Sequence, residues 1–325
     1  MKIAIVGATG VVGNMFLKVL EEKEIKADYT LFASKKSKGR IIHFMSKDYE
    51  IQELTKDAVD NSYDYALFSA GGKIAKEYAP LFAKGGTIVI DNSSAFRMDE
   101  SVPLIVPEVN IEELENNLGI IANPNCSTIQ AVVPLKKIDE KYKIKRIIYS
   151  TYQAVSGAGK SGIDDLNLNQ TNKFKYHIKS NVIPQIDDFS ENGYTKEELK
   201  MINETKKILK HPKLKITATC ARVPILNSHA ESINVETEYP IDIDELKHYL
   251  SNSKGIIVSD DISNYIYPIN TIANGTDEVY VGRIRKDYSV ENGINFWCVA
   301  DNIRKGAASN AVQILEYLIN KKDLD

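Results

Sequence analysis

The chain begins Lys2-Ile-Ala-Ile-Val6 and turns at once through Gly7-Ala-Thr-Gly10-Val-Val-Gly13 into an amphipathic run that reaches Leu20. An apolar strand that feeds a helix through closely spaced glycines is the opening unit of a parallel α/β sheet. Glycine permits the tight turn and a close backbone approach to phosphate, and the helix start offers oriented N–H groups to an anion. The spacing is a variant of the dinucleotide pattern G-x-G-x-x-G, so a turn serving another ligand, or packing alone, is the competing reading. Short apolar segments over 29–33, 65–69 and 87–91 repeat the strand signal, and 74–84 predicts a helix ending near Gly85-Gly86. Together they predict a parallel α/β domain over residues 1–127.

The pattern then changes. Residues 145–152 carry a strand signal, 195–210 an amphipathic helix, and 233–238 and 279–284 alternate like strands of an antiparallel or mixed sheet. A short helix over 242–250 and a polar connection over 169–193 fill the intervals, and 307–319 predicts a final helix. A second domain is expected over 128–304, with 305–325 returning to the first. A length of 325 residues suits two domains of ordinary size.

Composition narrows the partners. With 41 basic and 44 acidic residues the formal charge is −3, which gives no broad electrostatic footprint for nucleic acid. Cys126, Cys220 and Cys298 show no C-x-x-C spacing, and five scattered histidines form no recognisable metal motif. The apolar N-terminus, cut by glycines, reads as a strand rather than a secretory signal, and no apolar run reaches membrane length. The expectation is therefore no metal, no membrane partner and no nucleic acid.

At the end of the second strand, Leu31-Phe-Ala-Ser34-Lys35-Lys36-Ser37 lacks the acidic side chain that would hold both ribose hydroxyls of NAD. Ser34, Lys35 and Ser37 instead suit a 2′-phosphate, which predicts NADP; a solvated basic turn is the alternative. Ser69-Ala-Gly71-Gly72 offers a second close backbone approach, though packing glycines would look the same.

Cys126 lies in Asn123-Pro-Asn-Cys-Ser127, before an apolar helix-like stretch over 128–135. Unpaired N–H groups at a helix start favour an ionised thiol, hence a nucleophile; a buried structural thiol is the plain alternative, and the preferred one for Cys220 and Cys298. His229 follows Arg222 by seven residues. Its imidazole is able to accept a thiol proton and exchange protons with substrate, or to serve in packing.

These features fall in one order: Gly-Ala-Thr-Gly-Val-Val-Gly at 7–13, Ser-Ser-Ala-Phe-Arg at 93–97, Asn-Pro-Asn-Cys-Ser at 123–127 and Tyr-Gln-Ala-Val-Ser-Gly-Ala-Gly at 152–159. Glu-Glu-Leu-Lys at 197–200, Arg-Val-Pro at 222–224 and His229 follow. In that order they resemble the aspartate-β-semialdehyde dehydrogenase family over nearly the whole chain. The resemblance implies an α/β protein with an N-terminal Rossmann-like nucleotide domain. The second domain would be an α+β catalytic and dimerisation domain of the glyceraldehyde-phosphate-dehydrogenase-like type.

It further implies Cys126 as nucleophile, His229 as acid/base and Gln153 as the residue that orients the thiol-bound intermediate. Arg222 would hold the substrate α-carboxylate and Glu197 its ammonium group. Lys200 and Arg97 would take the phosphate end, with Asn92 and Asn125 as further orienting candidates. The cofactor candidates are Gly7, Thr9, Gly10, Val11, Val12, Gly13, Ser34, Lys35, Ser37, Gly71, Gly72, Ser156, Gly157 and Asn310. The match departs at Asn227, where many members have glycine; asparagine tolerates a left-handed turn there.

The implied reaction is NADPH-dependent reduction of L-aspartyl 4-phosphate to L-aspartate 4-semialdehyde and phosphate through a cysteine thioester. It is reversible as phosphorylating aldehyde oxidation, and its setting would be cytoplasmic synthesis of lysine, threonine and methionine. A homodimer is implied, with a tetramer as the variant. A related N-acetyl-glutamyl-phosphate or malonyl-thioester reductase, or a noncatalytic NADP-binding regulatory homologue, stays open.

Overall fold

The structure is a computed structural model that describes residues 1–59 and 62–322. Residues 60–61, and 323–325 of the expected C-terminal return, lie outside the described residues. The chain forms two compact units, Met1–Pro124 with Ala307–Asp325, and Asn125–Gly306.

The first unit runs β1 (Lys2–Val6), α1 (Val11–Glu22), β2 (Asp28–Ala33), a hairpin of β3 (Ile41–Phe44) and β4 (Lys47–Glu50), and β5 (Gln52–Glu53). It continues with β6 (Tyr65–Phe68), α2 (Gly72–Lys84), β7 (Ile88–Asp91), a single turn α3 (Pro107–Asn110) and β8 (Ile120–Ala122). Its six-stranded sheet has the order β5-β2-β1-β6-β7-β8, every pairing parallel.

Successive side chains of β1 point to opposite faces, so one strand feeds two cores. Ile3 and Ile5 pack with Phe16 and Leu20 of α1 and with Leu315 of the C-terminal helix Ser309–Lys322. Ala4 and Val6 pack with Phe68, Val89 and Phe82 of α2. Each large apolar side chain so buried contributes roughly 1.5–3 kcal/mol. β6 is buried at every position and therefore reads as an unbroken apolar run rather than an alternation. The strand order reverses between β1 and β6, which places a ligand crevice at the carboxyl ends of those strands.

The second unit runs α4 (Cys126–Tyr142), β9 (Ile144–Gln153), α5 (Lys160–Leu168), α6 (Lys196–Ile208), β10 (Lys215–Arg222) and β11 (His229–Thr237). Then come α7 (Ile243–Ser251), β12 (Ile256–Val258), α8 (Asn270–Ala273), β13 (Val279–Lys286) and β14 (Gly293–Ala300). Its mixed sheet has the order β10-β9-β11-β14-β13-β12, parallel at β9–β10 and β12–β13 and antiparallel elsewhere. A capping box between Thr195 and Glu198 starts α6.

α4 is longer than the 128–135 stretch expected from the sequence. Residues 127–135 are buried without exception, so no polar face marks their helical period. No helix among the described residues is long and apolar enough to cross a membrane.

Candidate active site

Cys126 is the first residue of α4 because Asn125 caps that helix. The Asn125 side-chain oxygen accepts from the backbone N–H of Ser127 at 3.0 Å and of Thr128 at 3.3 Å. Such a cap is worth about 1 kcal/mol, and it leaves Sγ at the positive end of the helix dipole. The rest of Asn125 is anchored as well: Nδ2 donates to Glu197 Oε1 at 2.9 Å, and its backbone N–H to Glu204 Oε2 at 2.7 Å.

His229 opens β11 directly after Ser228, whose φ is 71°. The left-handed residue is thus Ser228, one position beyond Asn227. It is held in place by its backbone N–H donating to Asn302 Oδ1 at 2.9 Å and by Asn270 Nδ2 donating to its carbonyl at 2.6 Å. The turn delivers His229 Nε2 to 3.2 Å from Cys126 Sγ. On the other side of the ring, the Ala154 backbone N–H donates to Nδ1 at 3.0 Å. Nδ1 is therefore the lone-pair nitrogen, and the ring proton sits on Nε2, facing sulfur. Burial, and then the Arg222 charge, push the His229 pKa well below its usual value and keep the ring neutral. The resting hydrogen bond runs from Nε2–H to sulfur, a direction that suits a thiolate acceptor.

Arg222 ends β10 beside Gln153 in register. Its Nη1 donates to the Ala154 carbonyl at 2.7 Å, while its Nε is buried without a hydrogen-bond partner among the described residues. An unsatisfied buried donor costs about 1–3 kcal/mol, which a planar carboxylate would offset. Glu197 of α6 is buried; its Oε1 accepts from Gln153 Nε2 at 3.2 Å and its Oε2 from Lys200 Nζ at 3.2 Å. Lys200 also donates to Asp187 at 2.8 Å.

Two glycines leave room for this cluster. A Cβ on Gly157 would lie 3.1 Å from Arg222 Nη1 and 3.3 Å from His229 Nε2, so Gly157 borders both side chains. A Cβ on Gly306 would lie 2.8 Å from Cys126 Cβ. Gly306 sits in a π-helical turn, Arg304–Ala308, a rare geometry that often marks functional positions. Nothing in the local sequence ties Gly306 to a cysteine so distant along the chain, and sequence reasoning missed it. Neighbouring Ser156 accepts from Asn302 Nδ2 at 3.0 Å.

In the first unit, Gly7 has φ 90° and Gly13 backs onto it: a Cβ on Gly13 would lie 2.1 Å from the Gly7 carbonyl oxygen. No other residue fits either position without moving backbone. Gly10 and Gly71 start α1 and α2 with no side-chain cap, so the first N–H groups, those of Val11, Val12 and Gly13 in α1, lack an intrahelical acceptor. Thr9 Oγ1 and Ser37 Oγ are 3.4 Å apart, and Ser34 leads into the exposed turn that carries Lys35.

A net of side chains follows β7 and β8, at the same carboxyl end of the parallel sheet as the glycine turn. Arg97 donates from Nε to the Asn123 carbonyl and from Nη2 to the Asn92 carbonyl, each at 2.9 Å. Asn123 Nδ2 donates to Asn92 Oδ1 at 2.7 Å, and Asn310 Nδ2 donates to Asn123 Oδ1 at 2.7 Å. Asn310 Oδ1 is buried without a partner among the described residues. Asn123 is the knot of this net; its place in the Asn-Pro-Asn-Cys motif is the signal that could have singled it out.

Residues 2–117 match the semialdehyde dehydrogenase NAD-binding domain, and residues 135–305 match the semialdehyde dehydrogenase dimerisation domain. The aspartate-semialdehyde dehydrogenase of Aquifex aeolicus is 52% identical over 98% of each chain. The crystal structure of aspartate semialdehyde dehydrogenase II from Vibrio cholerae, complexed with ASA, has a TM-score of 0.94 at 46% identity, covering 98% of both chains. The enzyme from Candida albicans, with NADP, has a TM-score of 0.80 at 25% identity over 99% of both chains. The chain belongs to the aspartate-semialdehyde dehydrogenase family.

The family resemblance read from the ordered motifs and the expected pair of a Rossmann-like domain and a mixed-sheet dimerisation domain are both established. In this member of the family, Cys126, His229, Gln153, Asn125, Glu197, Lys200, Arg222, Ser156 and Gly157 belong to the second unit. Asn92, Arg97, Asn310 and the nucleotide-turn residues belong to the first, which is a nucleotide-binding domain. Cys220 and Cys298 are fully buried strand residues, and burial pushes both thiols up, away from reactivity.

Proposed function

We propose that this chain reduces L-aspartyl 4-phosphate to L-aspartate 4-semialdehyde with NADPH, through a thioester on Cys126, and runs the reverse phosphorylating oxidation. The observation that carries this reading is the Cys126–His229 pair at a helix start, flanked by buried Arg222 and Glu197. Cys126 attacks the acyl carbon, the C–O bond to phosphate breaks, and phosphate departs. His229 Nε2–H holds first the thiolate and then the developing oxygen anion, with Gln153 aligning the acyl group. Arg222 meets the α-carboxylate through its unsatisfied Nε, and Glu197 meets the ammonium group. A buried carboxylate opposes an acetylated amine, which disfavours an N-acetyl-glutamyl substrate. Lys200 and Arg97 receive phosphate, with Asn92 and Asn125 holding the surrounding backbone.

The residues fit NADP. The orphaned Asn310 Oδ1 suits an amide N–H donor such as the nicotinamide carboxamide. The Gly7–Gly13 turn with Thr9, Val11 and Val12, and the α2 start at Gly71 and Gly72, suit the pyrophosphate. Ser34, Lys35 and Ser37 suit the 2′-phosphate, with Ser156 and Gly157 completing the cofactor set. When bound, NADPH supplies the hydride that reduces the thioester. The test is reduction of NADP by L-aspartate 4-semialdehyde plus phosphate. Turnover is expected to require phosphate and to favour NADP over NAD, with Lys35→Ala narrowing that preference. Phosphate-independent turnover would defeat the reaction assigned, and equal use of NAD would defeat the 2′-phosphate site.

A homodimer is part of the same proposal. On the sheet face away from α4, Tyr152 and Trp297 stack with ring centroids 5.4 Å apart. Near α8, Tyr265, Ile266, Tyr267, Ile269 and Ile272 are all exposed in the single chain, Tyr265 by 82%. Apolar surface on this scale marks an association face, and two-fold pairing is the commonest way to cover it. Sedimentation is expected to give twice the chain mass; a monomer would refute the pairing, and four chains would add a second interface.

A further inference from the structure

His229 and Glu231 are two apart on β11 and so point to the same face of the sheet, the face that α4 covers. Glu231 is fully buried, and neither carboxylate oxygen has a hydrogen-bond partner among the described residues. Its buried neighbours are handled differently. Glu197 accepts from Asn125, Gln153 and Lys200; Glu198 accepts from the backbone N–H groups of Thr195 and Cys220; Glu204 accepts from the Asn125 N–H.

In register, Glu231 lies between Thr151 of β9 and Cys298 of β14. The titratable groups that interact with its charge are Tyr149 of β9, Cys220 of β10, Cys298 of β14 and Glu197 of α6. None is a cation, and Glu197 has the same sign. On its own strand stands neutral His229, and from α4 come Ser127 and Gln130, which do not titrate. An unpaired buried carboxylate costs several kcal/mol, whereas a neutral carboxylic acid keeps an O–H to donate. Burial, and then Glu197, raise the Glu231 pKa well above the usual carboxylic range.

The acceptor is on α4. Gln130 Nε2 donates to the His229 carbonyl at 3.3 Å, and the Gln130 carbonyl accepts from Cys298 Sγ at 3.5 Å. His229 precedes Glu231 by two residues and Cys298 is its cross-strand partner, so these bonds lay Gln130 across Glu231. Among the described residues, Gln130 Oε1 is itself buried without a partner, and so is the Ser127 hydroxyl one turn earlier. Such an orphan acceptor on the helix that covers the acid is satisfied by its O–H, or by that O–H and one internal water.

We infer that Glu231 is a positioning residue that works as a protonated acid, donating to Gln130 Oε1 directly or through one water. The bond locks together α4 and β11, which carry Cys126 and His229. The inference rests on the assignment of that pair as the reacting groups. Ionising Glu231 breaks the bond and sets an unpaired negative charge beside a site that must hold a thiolate and an oxyanion.

Infrared difference spectra of the full chain, unmodified minus Glu231→Gln, test it without reference to turnover. A protonated-carboxyl C=O band at neutral pH is expected; a carboxylate band instead overturns the inference. In the kcat–pH profile, turnover is expected to fall about tenfold per pH unit once Glu231 ionises. Glu231→Gln, still a donor but unable to ionise, is expected to lack that decline; an identical decline in both overturns the role. Glu231→Leu, with no donor, is expected to lower kcat about tenfold or more with little change in KM. Loss in KM alone would also overturn it. Should the leucine variant fail to fold, the glutamine comparison decides. A missing acid band with Cys126-dependent turnover intact defeats this inference alone, while turnover that survives loss of Cys126 defeats the functional reading.

Discussion

Replacing Cys126 by serine is expected to lower kcat by about four orders of magnitude or more while leaving NADP binding intact. The serine would sit at the same helix start, but an alcohol ionises far less readily than a thiol. His229 offers it little help as a base. Its Nδ1 is occupied by the Ala154 N–H, and its Nε2 already carries the ring proton. Burial and Arg222 further oppose a second proton on the ring. Single-turnover kinetics and the mass of the enzyme–substrate mixture check the result. A normal burst, or an acyl adduct of unchanged amount in the serine variant, would remove Cys126 as nucleophile.

Replacing Arg222 by leucine is expected to lower kcat/KM by about 10²- to 10³-fold, or about 3–4 kcal/mol, chiefly through KM. The guanidinium is buried and braced by the Ala154 carbonyl, and its Nε has no hydrogen-bond partner among the described residues, which leaves it open to the proposed substrate carboxylate. Leucine leaves a substrate carboxylate desolvated and unpaired, which accounts for the size of the loss. Arg222→Lys is expected to fall between, because an ammonium keeps the charge but not the planar fork. Steady-state kinetics with L-aspartate 4-semialdehyde check it. A leucine variant with unchanged KM and a large loss in kcat would show that the arginine does not hold the ground-state substrate.

The parts legible in the sequence were those whose cause is local. The glycine turn at 7–13 announced itself because Gly7 needs a positive φ and Gly13 has no room for a side chain. α1, α2 and α6 showed a helical period because each has one wet face. β1, β2, β6 and β7 showed as short apolar runs because both faces of the sheet are covered, whereas β5 and β8, two and three residues long, were too short to show. β10 and β14 were read only as buried apolar-strand positions of Cys220 and Cys298, without bounds, since pairing partners far along the chain define them more than their own alternation does. α4 was underestimated for the opposite reason: it is buried on all sides over its first turns. The left-handed residue before His229 proved to be Ser228 rather than Asn227, because Asn302 and Asn270 pin Ser228 from distant segments.

By itself, then, the chain's order of residues determined the two-domain α/β class, the nucleotide turn and the family, and it singled out Cys126 and His229 as the candidates on which the proposed reaction rests. These are matters of short-range sterics and of residue chemistry, which neighbouring positions express directly. The tertiary structure decided the rest. It set the tautomer of His229 through a backbone N–H from residue 154, and placed Gly306 against Cys126. Among the described residues it left Arg222 and Asn310 each with one buried atom, and Glu231 with both carboxylate oxygens, without a hydrogen-bond partner. Hydrogen-bond direction and desolvation depend on what surrounds a group in space, and those surroundings come from segments that folding alone brings together.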